Sequence, residues 1–108
     1  MIDLPRETNR LLEKWNGGDA KLWSYRVSFQ ELVIRIEKSE VRGNLHVVCK
    51  PCLSLVLPRV FWKDCLIKIA VVSCDELLGA TFRVEDPSVG VVIECMGVHF
   101  HEDVDPVF

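Results

Sequence analysis

The stretch Cys49-Lys50-Pro51-Cys52 carries two thiols at the spacing that zinc knuckles and dithiol redox sites share. A redox pair needs its first cysteine at the N-terminus of a helix, where the helix dipole and free amide groups stabilise a thiolate. The residues that follow, LSLVLPRV, have the composition of a strand instead. The sequence therefore argues against a redox role for this pair.

A structural zinc ion takes four ligands, so the two cysteines would need two more. Residues two apart on a strand share a face at about 6.6 Å, from which two imidazoles can converge on one ion. The alternative function that the sequence offers is thus a zinc-binding protein with Cys49, Cys52, His99 and His101 as ligands. Free cysteines more commonly pack as small buried apolar side chains, and a His-x-His pair more commonly lies on an exposed strand face. We expect that simpler arrangement, with no metal and no cofactor.

The motifs of common enzyme classes are missing from the chain. It contains no Gly-x-Ser-x-Gly nucleophile elbow, no Gly-x-Gly-x-x-Gly and no phosphate-binding Gly-x-x-x-x-Gly-Lys. We therefore predict a non-enzymatic protein of the binding or interaction class.

The segment PRVFWKD offers a candidate interaction surface, because it combines the aromatic and cationic side chains that are enriched at interface hot spots. The candidate interaction residues are Arg59, Phe61, Trp62 and Lys63. In a competing interpretation, which we favour, Phe61 and Trp62 close one open end of a small barrel. A protein partner or a second copy of the chain could dock on this segment or on an edge strand.

Charge is distributed unevenly along the 108 residues, whose formal net charge is −3. Residues 1–68 carry a balance of +4, whereas residues 69–108 carry a balance of −7. The acidic part repels phosphate, so we predict no nucleic-acid partner. A specific form of the interaction hypothesis is an inhibitor of a basic protein partner, steered by the acidic segment from Asp75 to Asp105.

No apolar run approaches the roughly 20 residues that a membrane-spanning helix needs. The first 15 residues, MIDLPRETNRLLEKW, lack the continuous apolar region of a signal peptide. These features predict a cytoplasmic protein without a membrane contact. In that compartment the five cysteines stay reduced, and their odd number could not form a complete set of disulfides.

A helix is predicted at about residues 5–15. Leu11, Leu12 and Trp15 fall near helical spacing, Asp3 and Pro5 suit the start, and Asn16-Gly17-Gly18 supplies the end.

From residue 21 to about residue 101 the apolar period is two, which predicts short strands. The predicted fold class is α+β, with one N-terminal helix packed on a mainly antiparallel curved sheet, or a small barrel or sandwich, of seven or eight short strands. Residues 1–108 are expected to form a single globular domain, with an acidic tail at 102–108. Trp15 and Trp23 are predicted to face each other in the core.

Overall fold

The structure, a computed structural model, describes residues 6–77 and 79–103. Helix α1 spans Arg6–Trp15, close to the predicted bounds; Asp3 and Pro5 lie outside the described residues. Nine strands follow within the described part of the chain: β1 Asp19–Arg26, β2 Glu31–Lys38, β3 Val41–Cys49, β4 Cys52–Val56, β5 Phe61–Trp62, β6 Lys68–Asp75, β7 Gly79–Asp86, β8 Val91–Cys95 and β9 Val98–Asp103. No helix among these residues is long and apolar enough to cross a membrane.

The strands form two antiparallel sheets packed as a sandwich. One has five strands in the order β5-β1-β2-β3-β9, and the other has four in the order β4-β8-β7-β6. This arrangement confirms the predicted α+β class. The strand number exceeds the predicted seven or eight because Phe61–Trp62, in the PRVFWKD segment, pairs with β1 as a two-residue strand.

The core lies between the two sheets. The five-stranded sheet contributes Ile34, Ile36, Leu45 and Val47, and the other contributes Val84, Val91 and Ile93. Helix α1 supplies Leu12 and Trp15, which are 7% and 0% exposed, as the helical spacing predicts. The helix ends where Gly17 adopts a φ of 92°, a backbone conformation that glycine tolerates best.

Glu102 attaches the helix to the edge strand β9. Its carboxylate accepts a hydrogen bond from Trp15 Nε1 at 2.7 Å and lies 2.8 Å from Lys14 Nζ. The hydrogen bonds from Lys14 and Trp15 hold the pKa of Glu102 below its ordinary value. Residue 102, assigned from the sequence to an acidic tail, is thus part of a strand, while residues 104–108 lie outside the described residues.

Two chain segments pass side by side from one sheet to the other. β3 continues into β4 through Lys50-Pro51, and β8 continues into β9 through Met96-Gly97. Lys50 N–H donates to the Gly97 carbonyl at 3.0 Å, and Met96 N–H donates to the Pro51 carbonyl at 3.1 Å. A Cβ atom at residue 97 would lie 2.8 Å from the Lys50 carbonyl oxygen, so this corner requires glycine.

Asp86 joins the two sheets through its buried carboxylate. Asp86 ends β7, yet its Oδ2 accepts hydrogen bonds from Trp62 Nε1, on β5 of the other sheet, and from Leu66 N–H, both at 2.8 Å. Its Oδ1 accepts from the backbone N–H and the hydroxyl of Ser88. Burial alone would raise the pKa of Asp86, but the hydrogen bonds from Ser88, Leu66 and Trp62 outweigh it and hold the pKa below its ordinary value.

The substitution Asp86→Asn tests this link. It replaces one acceptor oxygen by a donor group, so a buried hydrogen bond is lost and a buried N–H faces other donors. We expect the free energy of unfolding at pH 7 to fall by about 2–4 kcal/mol, measured by urea denaturation. Glu85→Gln, one residue earlier on β7, is the matched control and should change it by less than about 0.5 kcal/mol.

The same variant has a pH signature. Because the pKa of Asp86 is lowered on folding, its contribution is complete above the unfolded-state pKa of about 3.9 and is lost as the pH falls through the folded-state value. Asp86→Asn should therefore flatten the stability profile below about pH 4 relative to the wild type and to Glu85→Gln. Equal acid sensitivity of all three proteins would contradict the assigned charge state.

Candidate functional site

The four zinc-ligand candidates are not brought together by the fold. Cys49 ends β3 and Cys52 begins β4, and both thiols point into the core with exposures of 0% and 5%. Val98 pairs with Cys49 on the inward side, so alternation along β9 turns His99 and His101 to the outward side, where both are exposed. Among residues 6–77 and 79–103, no three or more His, Cys, Asp or Glu side chains are arranged to hold a metal ion.

A third thiol joins the two cysteines at the corner between the sheets. Cys95 is the cross-strand partner of Cys52, and its thiol lies beside that of Cys49. The neighbouring Cys95 thiol, together with burial, raises the pKa of Cys49, and burial raises the pKa of Cys52. Both side chains are therefore neutral, unreactive thiols at pH 7, packed as apolar residues.

The predicted interaction segment is divided between core and surface. Trp62 is 2% exposed and donates to Asp86, so its indole belongs to the core; of the two residues expected to close a barrel end, only Trp62 is buried. Arg59, Phe61 and Lys63 line a depression beside it together with Val89. Phe61 is 46% exposed. The segment therefore presents one aromatic side chain to a partner instead of two.

The outward face of the five-stranded sheet carries a different arrangement, which the strand register creates. Lys21 pairs with Arg35, Arg35 with His46, and His46 with His101, so four basic side chains form a row across β1, β2, β3 and β9. One step along the same face, Asp19 pairs with Glu37. The two cations of this row, Lys21 and Arg35, thus lie beside an acidic pair.

Trp23 lies at the centre of this face. A β-bulge inserts it between the Leu22–Ile34 and Ser24–Val33 pairs, and it is 49% exposed. The guanidinium carbon of Arg35 lies 4.3 Å from the centre of the indole, and the His46 ring lies 5.8 Å from it. We call the surface formed by Lys21, Trp23, Arg35 and His46 the Trp23 face. Bulges re-aim side chains and are frequent beside functional sites.

Arg35 is fixed in place by contacts on two sides. Its Nε lies 2.8 Å from Glu37 Oε1, and its guanidinium stacks on Trp23. Lys21 Nζ lies 5.6 Å from the centre of the same indole. A cation stacked on an indole is attracted by the ring quadrupole, so these contacts hold the exposed tryptophan in one orientation.

The sequence prediction placed Trp23 in the core, and this was wrong. Ala20 and Leu22 face inward instead, opposite Ile36 and Ile34. A signal was present, because Lys21 shares its strand parity with Trp23 and a lysine is rarely buried. The charge of Lys21 could therefore have predicted that Trp23 faces outward.

A cavity of about 450 Å³ adjoins the Trp23 face and shares Arg35 with it. We call it the Asn44 pocket; Asp19, Glu37, Lys38, Ser39 and Gly43 complete its lining. Asn44 is 2% exposed, and its Oδ1 accepts no hydrogen bond from the described part of the chain. Lys38 Nζ donates to the carbonyls of Lys14, at 3.2 Å, and Asn16, at 2.9 Å. Sequence reasoning missed this pocket, because its lining is assembled from β1, β2 and β3.

Comparison of the chain with protein families, with curated proteins and with solved structures finds no match in any of the three.

The environment of the thiols predicts how they react with Ellman's reagent. Cys74 is exposed, whereas Cys49, Cys52, Cys65 and Cys95 are buried, and burial raises the pKa of Cys65 to about 11. We expect one thiol to react rapidly in the native protein and all five to react after unfolding in guanidinium. Cys74→Ser should remove the rapid phase. A second rapidly reacting thiol in the folded protein would contradict the burial of the other four thiols.

Proposed function

We propose that this protein is a non-enzymatic binding module that recognises a protein partner in the cytoplasm through the Trp23 face. The observation that supports this most is a half-exposed tryptophan held on a rigid strand, with an arginine stacked on it. Tryptophan and arginine are among the residue types most enriched at the energetic centres of interfaces.

Binding at the Trp23 face costs little conformational entropy, because its side chains are already held in place. Covering the exposed half of the Trp23 side chain removes on the order of 100 Å² from water, worth roughly 2–3 kcal/mol. Arg35 is already held by Glu37 and by the indole, so the loss of side-chain freedom on binding is small. A pre-arranged aromatic and cationic pair suits specific recognition.

Charge on this face favours a protein over a nucleic acid. Protein surfaces that bind nucleic acids carry mainly cations, which neutralise the phosphates. On the Trp23 face, in contrast, Asp19 and Glu37 lie directly beside Lys21 and Arg35. A mixed row of charges matches a protein partner that carries both signs.

The acidic segment from Asp75 to Asp105 supports an inhibitor of a basic partner less well. Asp86 is buried and bonded, Glu102 binds Lys14, and Glu94 lies 3.6 Å from Arg83. These three carboxylates act within the fold, so we assign recognition to the Trp23 face rather than to this segment.

Trp23→Ala tests the proposal, with Leu53→Ala as the matched control. Both replace a half-exposed apolar residue on a strand, but Leu53 lies on β4 of the other sheet and is 52% exposed. We expect Trp23→Ala to weaken the affinity for a purified partner at least about tenfold and Leu53→Ala to leave it within about twofold, measured by titration calorimetry.

The partner is first recovered from a cell extract on the immobilised wild-type protein, and its contact is then mapped by hydrogen exchange. Protection of β1, β2 and β3 amides along the Trp23 face is the expected result. Unchanged affinity of Trp23→Ala, or recovery of a nucleic acid whose binding falls steeply with salt, would contradict the proposal.

A further inference from the structure

The Asn44 pocket contains a buried hydrogen-bond acceptor for which residues 6–77 and 79–103 supply no donor. Asn44 is 2% exposed, and its Oδ1 has no hydrogen-bond partner among the described residues. A buried acceptor without a donor costs free energy, so a ligand group that donates to it contributes more binding free energy than it would at an exposed site. This atom points to a ligand that carries N–H or O–H groups.

A free negative charge lies on the same pocket wall. Asp19 is exposed at the start of β1 and forms no ion pair with any residue that the structure describes. A carboxylate and an amide oxygen on one cavity form an acceptor pair that suits a cation with several N–H donors.

The two cations that also line the pocket are engaged elsewhere. Lys38 donates its Nζ to the carbonyls of Lys14 and Asn16, beyond the end of α1. Arg35 is neutralised by Glu37 at 2.8 Å and stacks on Trp23. Lys38 keeps its positive charge, but both cations contact groups other than Asp19, which leaves the Asp19 carboxylate available to an incoming positive group.

We infer that the Asn44 pocket is a subsite for a cationic side chain, a guanidinium or an ammonium group, held by Asn44 Oδ1 and the Asp19 carboxylate. The inference rests on the proposed function, since the cation would belong to the segment of the partner that also covers Trp23. A cavity of about 450 Å³ is within the size range of ligand pockets. Arg35 lies between the indole and the cavity and would contact both parts of the bound segment.

The probe for this subsite is N-acetyl-L-arginine amide, titrated into uniformly ¹⁵N-labelled protein. N-acetyl-L-citrulline amide has nearly the same shape without the charge and is the matched ligand. We expect saturable amide shifts at Ser39, Gly43 and Asn44 with the arginine compound, and affinity at least about fivefold weaker for the citrulline compound.

Asp19→Asn should lower the affinity for the arginine compound at least about fivefold, because the substitution removes a charge at an exposed position without disturbing the core. Glu40→Gln is the control, since Glu40 is an exposed carboxylate in the turn between β2 and β3 that does not line the pocket. The affinity of Glu40→Gln for the arginine compound should stay within about twofold of the wild-type value. A thermal melt of each variant confirms that it is folded.

Three results would overturn the inference: no saturable shifts at the pocket residues, equal affinity for both compounds, or equal affinity of Asp19→Asn and wild type. Binding of acetate at these amides in place of the arginine compound would overturn it too. These outcomes are separate from the test of the Trp23 face. If the compound fails but Trp23→Ala still loses the partner, the subsite is wrong and the proposed function stands.

Discussion

The burial of Ile34 and Ile36 fixes the pairing of β2 with both of its neighbours, and this register determines the outward surface of the five-stranded sheet. Ile34 lies opposite Leu22 and Val47, and Ile36 lies opposite Ala20 and Leu45. A slip by one residue would place Arg35 and Glu37 in the core, at a prohibitive cost in desolvated charge. The row in which Arg35 lies between Lys21 and His46 follows directly from apolar burial on the other side.

The three tryptophans occupy two kinds of environment. The Trp15 and Trp62 indoles are buried, and each donates its N–H to a carboxylate, from Glu102 and Asp86 respectively. These bonds secure the helix to one edge of the sandwich and connect the two sheets. Trp23 is instead half exposed and stacked on Arg35. Two of the three indoles therefore stabilise the molecule, while the third is the one that we propose binds a partner.

Local periodicity was sufficient to predict the helix, the change to strands and the α+β class. The burial of Leu12 and Trp15 could be predicted from helical spacing, because residues three apart lie on the same face of a helix. The pattern could not predict the bulge at Trp23, because a bulge depends on how β1 meets β2, although the parity shared with Lys21 did indicate the outward direction of the indole.

Features that depend on residues far apart in the sequence could not be predicted from it either. The meeting of Cys49 with Cys95 requires two strands to cross between the sheets together, at a corner closed by Gly97. The buried oxygen of Asn44 becomes significant only when Asp19 is known to lie on the same cavity. The sequence also suggested a zinc site because spacing alone does not reveal that His99 and Cys49 lie on opposite sides of a sheet.

The most direct test of this account is the set of nuclear Overhauser effects from the Trp23 indole protons. The register described above places the indole over the Arg35 side chain and beside the His46 ring, so strong cross-peaks to the Arg35 side chain and weaker ones to the His46 ring are the predicted result. Cross-peaks from the indole to the core methyl groups of Ile34 or Leu45 would place Trp23 inside the sandwich and contradict the account.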